Sequence, residues 1–327
     1  MSIGFHIGID TSNYTTSAAA VSSAGEVFCA KRLLSVPQGE RGMRQQDALF
    51  CHTRDLGEIL EDVFSQIRNV HGEYHVLSVG VSKTPRRVKG SYMPCFLAGV
   101  SVAKGISLAT RAPLFCFSHQ EGHIEAARQG ALREGRELTE KSFLAFHLSG
   151  GTTELLLVEE EGFRYQARLL AGALDLTSGQ LIDRCGVKMG LSFPAGKELE
   201  SLALNAACKP RIRVPKKEDG INLSGFENRF EAQMREGKSK EDLARYVFAV
   251  TEQAVETLLE FSPSAELPVL FSGGVSSSRI LREHFSGPRY FFAPPEYCAD
   301  NAIGIAYLAR KGAQDGSESG IDGYRPK

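Results

Sequence analysis

No stretch of this 327-residue chain approaches the ~20 consecutive apolar residues needed to span a bilayer. Its opening, MSIGFHIGID, lacks the basic flank and long apolar run of a secretory signal. The seven cysteines (29, 51, 95, 116, 185, 208 and 298) are scattered, odd in number and include no CxxC pair. That excludes a disulfide framework and a thiolate zinc site, and the expected setting is cytoplasmic, with no membrane partner. Neither the GxxxxGK[ST] phosphate loop nor the HExxH of zinc proteases occurs, which argues against an endopeptidase. Net charge is missing too. Lys+Arg 38 against Asp+Glu 39 leaves −1, so binding nucleic acid by bulk charge is excluded and only local basic patches remain.

Glycine is what the chain has in excess, 33 of 327 residues against a usual ~7%. Tight turns and backbone approaching a ligand are the expected uses. The length predicts about two domains of ~150 residues, and the patterning repeats to match. Strands are expected at Ile3–Asp10, Ala18–Val21 and Val27–Leu34, followed by a helix carrying Leu56, Ile59, Leu60, Val63, Phe64 and Ile67 at three- and four-residue spacing. Strand Val76–Val81, helix 96–109, strand Pro113–Phe117 and a helix from His119 complete a β-β-β-α-β-α-β-α order.

The order recurs with strands Phe143–Leu148, Glu154–Val158 and Phe163–Leu170, then helices within 176–208 and at 241–261. Strand Val269–Phe271, helix 276–285, strand Tyr290–Phe292 and a helix from Asn301 to Arg310 follow. Two α/β lobes of one topology, facing across a cleft, are the expectation. Residues 209–230 read as a surface loop and 312–327 as a disordered tail.

The first turns of the two lobes, Asp10–Thr16 and Ser149–Thr153, occupy equivalent positions and are rich in hydroxyls or glycine. Such turns either close hairpins or aim N–H and O–H donors at an anion. Ser272-Gly273-Gly274-Val275, after a strand and before a helix, offers a third. In Ser118-His119-Gln120-Glu121-Gly122-His123, Ser118 and Glu121 form a capping-box pattern, so a helix starts there. His119 and His123 then share one helix face, as two surface histidines or as two ligands of one metal. Asp300 is a candidate third ligand or the N-cap of the last helix.

These residues carry a resemblance to the tRNA threonylcarbamoyladenosine synthase family, long labelled O-sialoglycoprotein endopeptidases. It covers about Ile7 to Ala309 and rests on GIDTS, HQEGH, LSGGTTEL, SGQLIDRCGVKMGLSFPAG, INLSGF, SGGVSSSR and CADNAIGIA in order. The resemblance implies an α/β fold of the actin-like ATPase (ASKHA) superfamily, with RNase H-like lobes at 1–135 and 136–299 and helix 300–311 packing back on the first. It implies transfer of a threonylcarbamoyl group from its AMP mixed anhydride to N6 of adenosine 37 in tRNA. His119, His123 and Asp300 would hold one divalent metal, iron or zinc. Asp10, Ser12, Leu148, Ser149, Gly150, Gly151, Thr152, Asp183, Gly196, Gly273, Gly274 and Ser278 would surround an adenylate-type nucleotide, the intermediate or ATP. The implied partners are tRNA and the other proteins of the threonylcarbamoylation machinery, among them a homologous lobe-paired subunit.

Three departures mark a divergent member. The family's glycine-rich TxGPG loop is replaced by Ser82–Gly90, Thr152 stands at the usual histidine of SGGHT, and Ser278 stands at the usual asparagine. In the replaced loop, Lys83, Arg86, Arg87 and Lys89 are either an anion or tRNA contact or a solvated loop. Lys209, Arg211, Arg213, Lys216 and Lys217 pose the same choice. A carbamoyl transferase with a small-molecule acceptor and a non-catalytic nucleotide-binding paralog are the alternative functions.

Overall fold

The computed structural model describes residues 2–12, 14–34, 43–298 and 301–316, which divide into two units. The first takes in residues up to Gln129, residues 160–166 and the C-terminal helix. Its elements are β1 (Ile3–Ser12), β2 (Thr15–Ser22), β3 (Val27–Leu33), α1 (Gln45–His71), β4 (Tyr74–Thr84), α2 (Phe96–Thr110), β5 (Leu114–Ser118), α3 (His119–Arg133) and, from the far end of the chain, α10 (Ala302–Gln314). The strands lie in the order β3-β2-β1-β4-β5, with β1–β2 antiparallel and β1–β4 and β4–β5 parallel.

β1 is buried along nearly its whole length because both faces of the sheet are covered. Side chains alternate across the pleat, so Phe5, Ile7 and Ile9 join Leu56, Ile59 and Val63 of α1 in one core. His6, Gly8 and Asp10 fall on the opposite face, where α10 crosses β1 and β4. Here glycine is a requirement of close approach. Gly8 and Gly80 are paired neighbours on β1 and β4, and a Cβ on either would strike the carbonyl of Ala302 or Ile305. A third contact is helix on helix: a Cβ on Gly304 of α10 would fall on the carbonyl of Gly122 in α3.

The second unit holds β6 (Ser142–Leu148), α4 (Ser178–Lys188), α5 (Gly196–Ala203), β9 (Gly220–Ile221), α6 (Ser224–Arg235), α7 (Lys240–Leu259), β10 (Val269–Ser272), α8 (Arg279–His284), β11 (Tyr290–Phe292) and α9 (Pro295–Cys298). It also holds most of β7 (Thr153–Glu161) and β8 (Arg164–Ala173). The sheet runs β11-β10-β6-β7-β8-β9, which is the order of the first sheet with one short strand added outside β8. The duplicated topology expected from the sequence is therefore present. The core gathers Phe146, Leu148 and Phe271 from the sheet and Val247, Val250 and Leu258 from α7.

Two expectations need correction. Residues 209–230 are not all loop, because β9 and the first half of α6 lie within them and bury Ile221, Leu223, Phe226 and Phe230. The N-terminus of α6 is satisfied by Asp175, which accepts from the amides of Leu223 (2.7 Å) and Ser224 (3.2 Å). That cap is supplied from some fifty residues away, so no local capping signal announces the helix. The tail expected from 312 begins later, since α10 continues to Gln314 with Gly312 lodged against the rings of Phe115 and Phe163. The tail beyond 316 lies outside the described residues.

Two outcomes follow from this packing. Gly304→Ala should lower unfolding free energy by about 1–3 kcal/mol through overpacking. Gly57→Ala, exposed in α1 with nothing within 4 Å of its added Cβ, should raise it by about 0.8–1 kcal/mol through helix propensity. Urea titrations of both variants check the pair. His6, beneath α10, has its pKa pushed down to about 4 by burial and then by the charge of Arg310. The folded protein thus disfavours the charged ring, and this stability is complete above the unfolded value near 6.5. It should drain away as pH falls from there to about 4, whereas His6→Asn should show a flatter profile over that window.

Candidate functional site

β5 ends at Ser118 and α3 starts at His119, and the turn between them is the expected capping box. The Ser118 amide donates to Glu121 Oε2 at 2.7 Å, and the Glu121 amide donates to Ser118 Oγ at 3.2 Å. The helix begins at a fixed rotation, which puts His119 and His123 on one face with their Nε2 atoms 3.0 Å apart.

Behind His119 stands Asp10, at the end of β1 and almost wholly buried, with Oδ2 2.9 Å from His119 Nδ1. A carboxylate only accepts, so the Nδ1 hydrogen of His119 points to Asp10 and Nε2 is the atom that faces His123. Burial alone would raise the Asp10 carboxyl. The charge of His119 and hydrogen bonds from His119, Ser82 and Asn301 outweigh it and hold the group below its usual range. Asn301, just before α10, places its side-chain nitrogen 2.8 Å from His119 Nδ1. Its oxygen lies against Gly122, is buried and has no hydrogen-bond partner.

Two converging imidazole nitrogens, with a carboxylate orienting one of them, are donors that suit a divalent cation. Among the described residues no third His, Cys, Asp or Glu joins the pair. Asp300, the expected third ligand, lies outside the described residues. Asp10, expected at a nucleotide, accepts from His119 through Oδ2. Ser12 pairs with Thr15 where β1 meets β2.

The face of α3 away from the histidines is held by charge. Glu121 receives Arg164 through two bonds of 3.1 Å, from Nε and Nη2. Glu125, fully buried, accepts from the Tyr165 hydroxyl and from Lys311 Nζ (2.7 Å), and Arg128 bonds the same hydroxyl at 3.0 Å and Glu160 at 2.7 Å. Burial and the Glu125 charge push the Tyr165 phenol well above its usual range, so it stays a neutral donor. Sequence reasoning found Glu121 as a cap but missed Arg164, Tyr165 and Lys311. Their only local signal is polar residues at a hairpin tip and on an otherwise apolar helix.

In the second unit, Leu148 closes β6 and Ser149–Thr152 makes the expected tight turn. Ser149 N donates to the Thr152 carbonyl (2.8 Å), and Thr152 N donates to Ser149 Oγ (3.1 Å). Thr177 Oγ1 donates to the Gly150 carbonyl at 3.0 Å, and Gly273, at φ 87°, lies against the Leu148 carbonyl. These contacts bring β6, β10 and the start of α4 together at the carboxyl ends of parallel strands, a usual ligand position in α/β sheets. A Cβ on Gly150, Gly151 or Gly274 would meet nothing within 4 Å, and none of the three has a positive φ. No contact inside the protein demands glycine at these positions.

Asp183 accepts from the Ala195 amide at 2.9 Å, next to Gly196 at the start of α5. Burial raises its carboxyl, partly offset by that bond. Ser278 faces inward, where its hydroxyl donates to Glu200 and accepts from the Leu281 amide at the start of α8. Of the basic loop, Arg87 is ion-paired with Glu161 at 2.8 Å, Lys83 and Arg86 are half-buried, and Lys89 is exposed.

Arg164→Ala should lower stability by about 3 kcal/mol, because it strips its cationic partner from a buried carboxylate. The double variant Glu121→Gln/Arg164→Met should recover most of that loss. Denaturant unfolding of the two variants beside the parent provides the check.

A family profile described as tRNA N6-adenosine threonylcarbamoyltransferase matches residues 48–307. The tRNA N6-adenosine threonylcarbamoyltransferase of Methanopyrus kandleri is 26% identical, over 92% of this chain and 85% of that protein. A probable bifunctional tRNA threonylcarbamoyladenosine biosynthesis protein of Methanothermobacter thermautotrophicus is also 26% identical, over 93% of this chain but 55% of its own length. Among solved structures, HypF of T. kodakarensis superposes with a TM-score of 0.61 at 13% identity, covering 97% of this chain and 48% of that one. The two chains share a fold over that length. No helix among the described residues is long and apolar enough to cross a membrane. With most of its length matched by one profile, the chain belongs to the tRNA N6-adenosine threonylcarbamoyltransferase family, a family of transferases.

Proposed function

We propose that the chain transfers a threonylcarbamoyl group from threonylcarbamoyl-AMP to N6 of adenosine 37 in tRNA, using one divalent metal, iron or zinc. The observation that carries this reading is the pair of imidazole nitrogens, 3.0 Å apart, with Asp10 behind one of them. His119 and His123 would hold the metal, with Asp300 as third ligand. When bound, the ion supplies Lewis acidity towards the acyl group. Asp10 keeps His119 in the tautomer that presents Nε2 and fixes the plane of the ring. The Ser149–Thr152 turn offers backbone and hydroxyl donors to an anion, and its bare glycines admit a ligand against the main chain. Asp183 keeps one oxygen for a ribose hydroxyl while the other accepts from Ala195.

The acyl group arrives activated as a mixed anhydride, so no protein nucleophile is needed. The N6 amine attacks the carbamoyl carbon and a C–N bond forms; the bond to the AMP phosphoryl oxygen breaks, AMP leaves with the electron pair, and the N6 proton passes to the departing phosphate or to water. Partner proteins belong to this reading, a homologous lobe-paired subunit among them. The M. thermautotrophicus relative, described as bifunctional, extends well beyond the length that this chain matches. A second reading, adenylate binding without transfer, draws on Ser278, whose hydroxyl is spent on Glu200 and the α8 cap.

The test is metal-loaded protein with threonylcarbamoyl-AMP, with and without tRNA and partners. Modified adenosine should form only with tRNA, and His119→Ala should reduce it to background. Full turnover in that variant, or adenylate binding with no transfer under any condition, would overturn the reading. Asp10→Asn should weaken Co²⁺ binding, followed by its visible absorption, by about 10–100-fold.

A further inference from the structure

A cavity of about 330 Å³ opens beside the first turns of α6, lined by Arg213, Lys217, Asn222, Gly225, Phe226 and Arg229 among others. Every charged side chain in its lining is a cation. Gly225 and Arg229 are four residues apart on one helix face, and a Cβ on Gly225 would meet nothing within 4 Å, which keeps the floor of the cavity open. The amides of Leu223 and Ser224 are already taken by Asp175, so the attraction for an anion comes from side chains and not from the helix terminus.

Several cations elsewhere on the chain are already engaged. Lys209 is paired with Glu252 at 2.7 Å, Lys216 lies against Glu260 and over the Phe261 ring, and Arg87 is paired with Glu161. Arg213, Lys217 and Arg229 are exposed and have no carboxylate partner among the described residues, and Glu218 and Asp219 do not line the cavity. In a chain of net charge −1, three cations without a carboxylate partner around one hollow make a local positive patch, with Arg229 also lying over the Phe226 ring. Guanidinium forks and an ammonium suit phosphate oxygens, and the Asn222 amide adds donors.

We propose that this cavity is a phosphate site that grips the backbone of the RNA substrate. It rests on the proposed action on tRNA and assigns to that substrate a contact apart from the metal and adenylate residues. The ring of Phe226 is buried and gives a free nucleobase no face to stack on, so the lining favours the backbone of a chain over a mononucleotide.

The test is binding of a tRNA transcript to the full chain, as parent and as Arg213→Ala/Lys217→Ala/Arg229→Ala, between about 50 and 200 mM salt. The triple variant should bind about ten-fold or more weakly at the low end, and its log–log salt slope should flatten by about two. Its ATP binding and unfolding midpoint should match the parent, and Arg213→Lys/Arg229→Lys should keep the parent slope. An unchanged slope and affinity in a variant that still transfers the acyl group overturns the pocket alone. Loss of binding to ATP or inorganic phosphate, with RNA binding intact, overturns the assignment to RNA. A parent chain with no affinity for tRNA and no transfer takes down both readings.

Discussion

Where β1 and β4 run side by side, Gly8 and Gly80 leave no side chain between the sheet and α10, and the helix backbone rests directly on the strands. At its start α10 meets α3 through Gly304 and Gly122, again backbone against backbone. Contacts of this kind leave little freedom of position, since neither partner has a side chain that can adjust. Asn301 is delivered to His119 by this crossing, and Asp10 reaches the same ring from the strand beneath. The immediate surroundings of the histidine pair are therefore set by the absence of four side chains as much as by the presence of Asp10 and Asn301.

α3 serves two environments at once. One face carries the imidazoles, and the other carries Glu121 and Glu125, both buried and met by Arg164, Tyr165 and Lys311. Buried charge of this sort adds little net stability, but it defines a rotation, because a slip of the helix would strand a carboxylate away from its cation. The bidentate Arg164–Glu121 pair is the stiffest part of that arrangement. In the second unit the logic reverses. Its candidate ligand turns are built from hydroxyls and open glycines, and the charge nearby is sparse.

Much of this was legible beforehand wherever the signal is local. The hairpin GIDTSNYTTSAAAV, the capping box at Ser118 and the i, i+4 histidines each depend on neighbours within a few residues, and the duplicated strand order emerged from the same short-range patterns. The helix α6 was hidden because its cap is Asp175, and the basic run before it masks the Phe226–Phe230 spacing. Asp10 reads as part of a turn, and only the register of β1 against α10 and α3 reveals it as the partner of His119. The excess of glycine was visible at once, but its uses were not. Gly150 and Gly274 face open space as a ligand turn requires, while Gly8, Gly80, Gly122 and Gly304 serve a helix crossing that no spacing rule encodes.

The placement of α10 has a consequence for the chain as it is made. Asn301 and His119 are 182 residues apart, and the second unit is synthesised between them. At roughly 5–20 residues per second, the ribosome needs on the order of ten to thirty seconds between releasing α3 and releasing α10. In the finished fold α1 covers the apolar face of β1, and the face that α10 covers bears His6, Gly8 and Asp10, small or polar residues on that strand. An unfinished chain therefore displays its histidines without Asn301. The surroundings of the histidine pair are completed only by a segment made after the whole second unit.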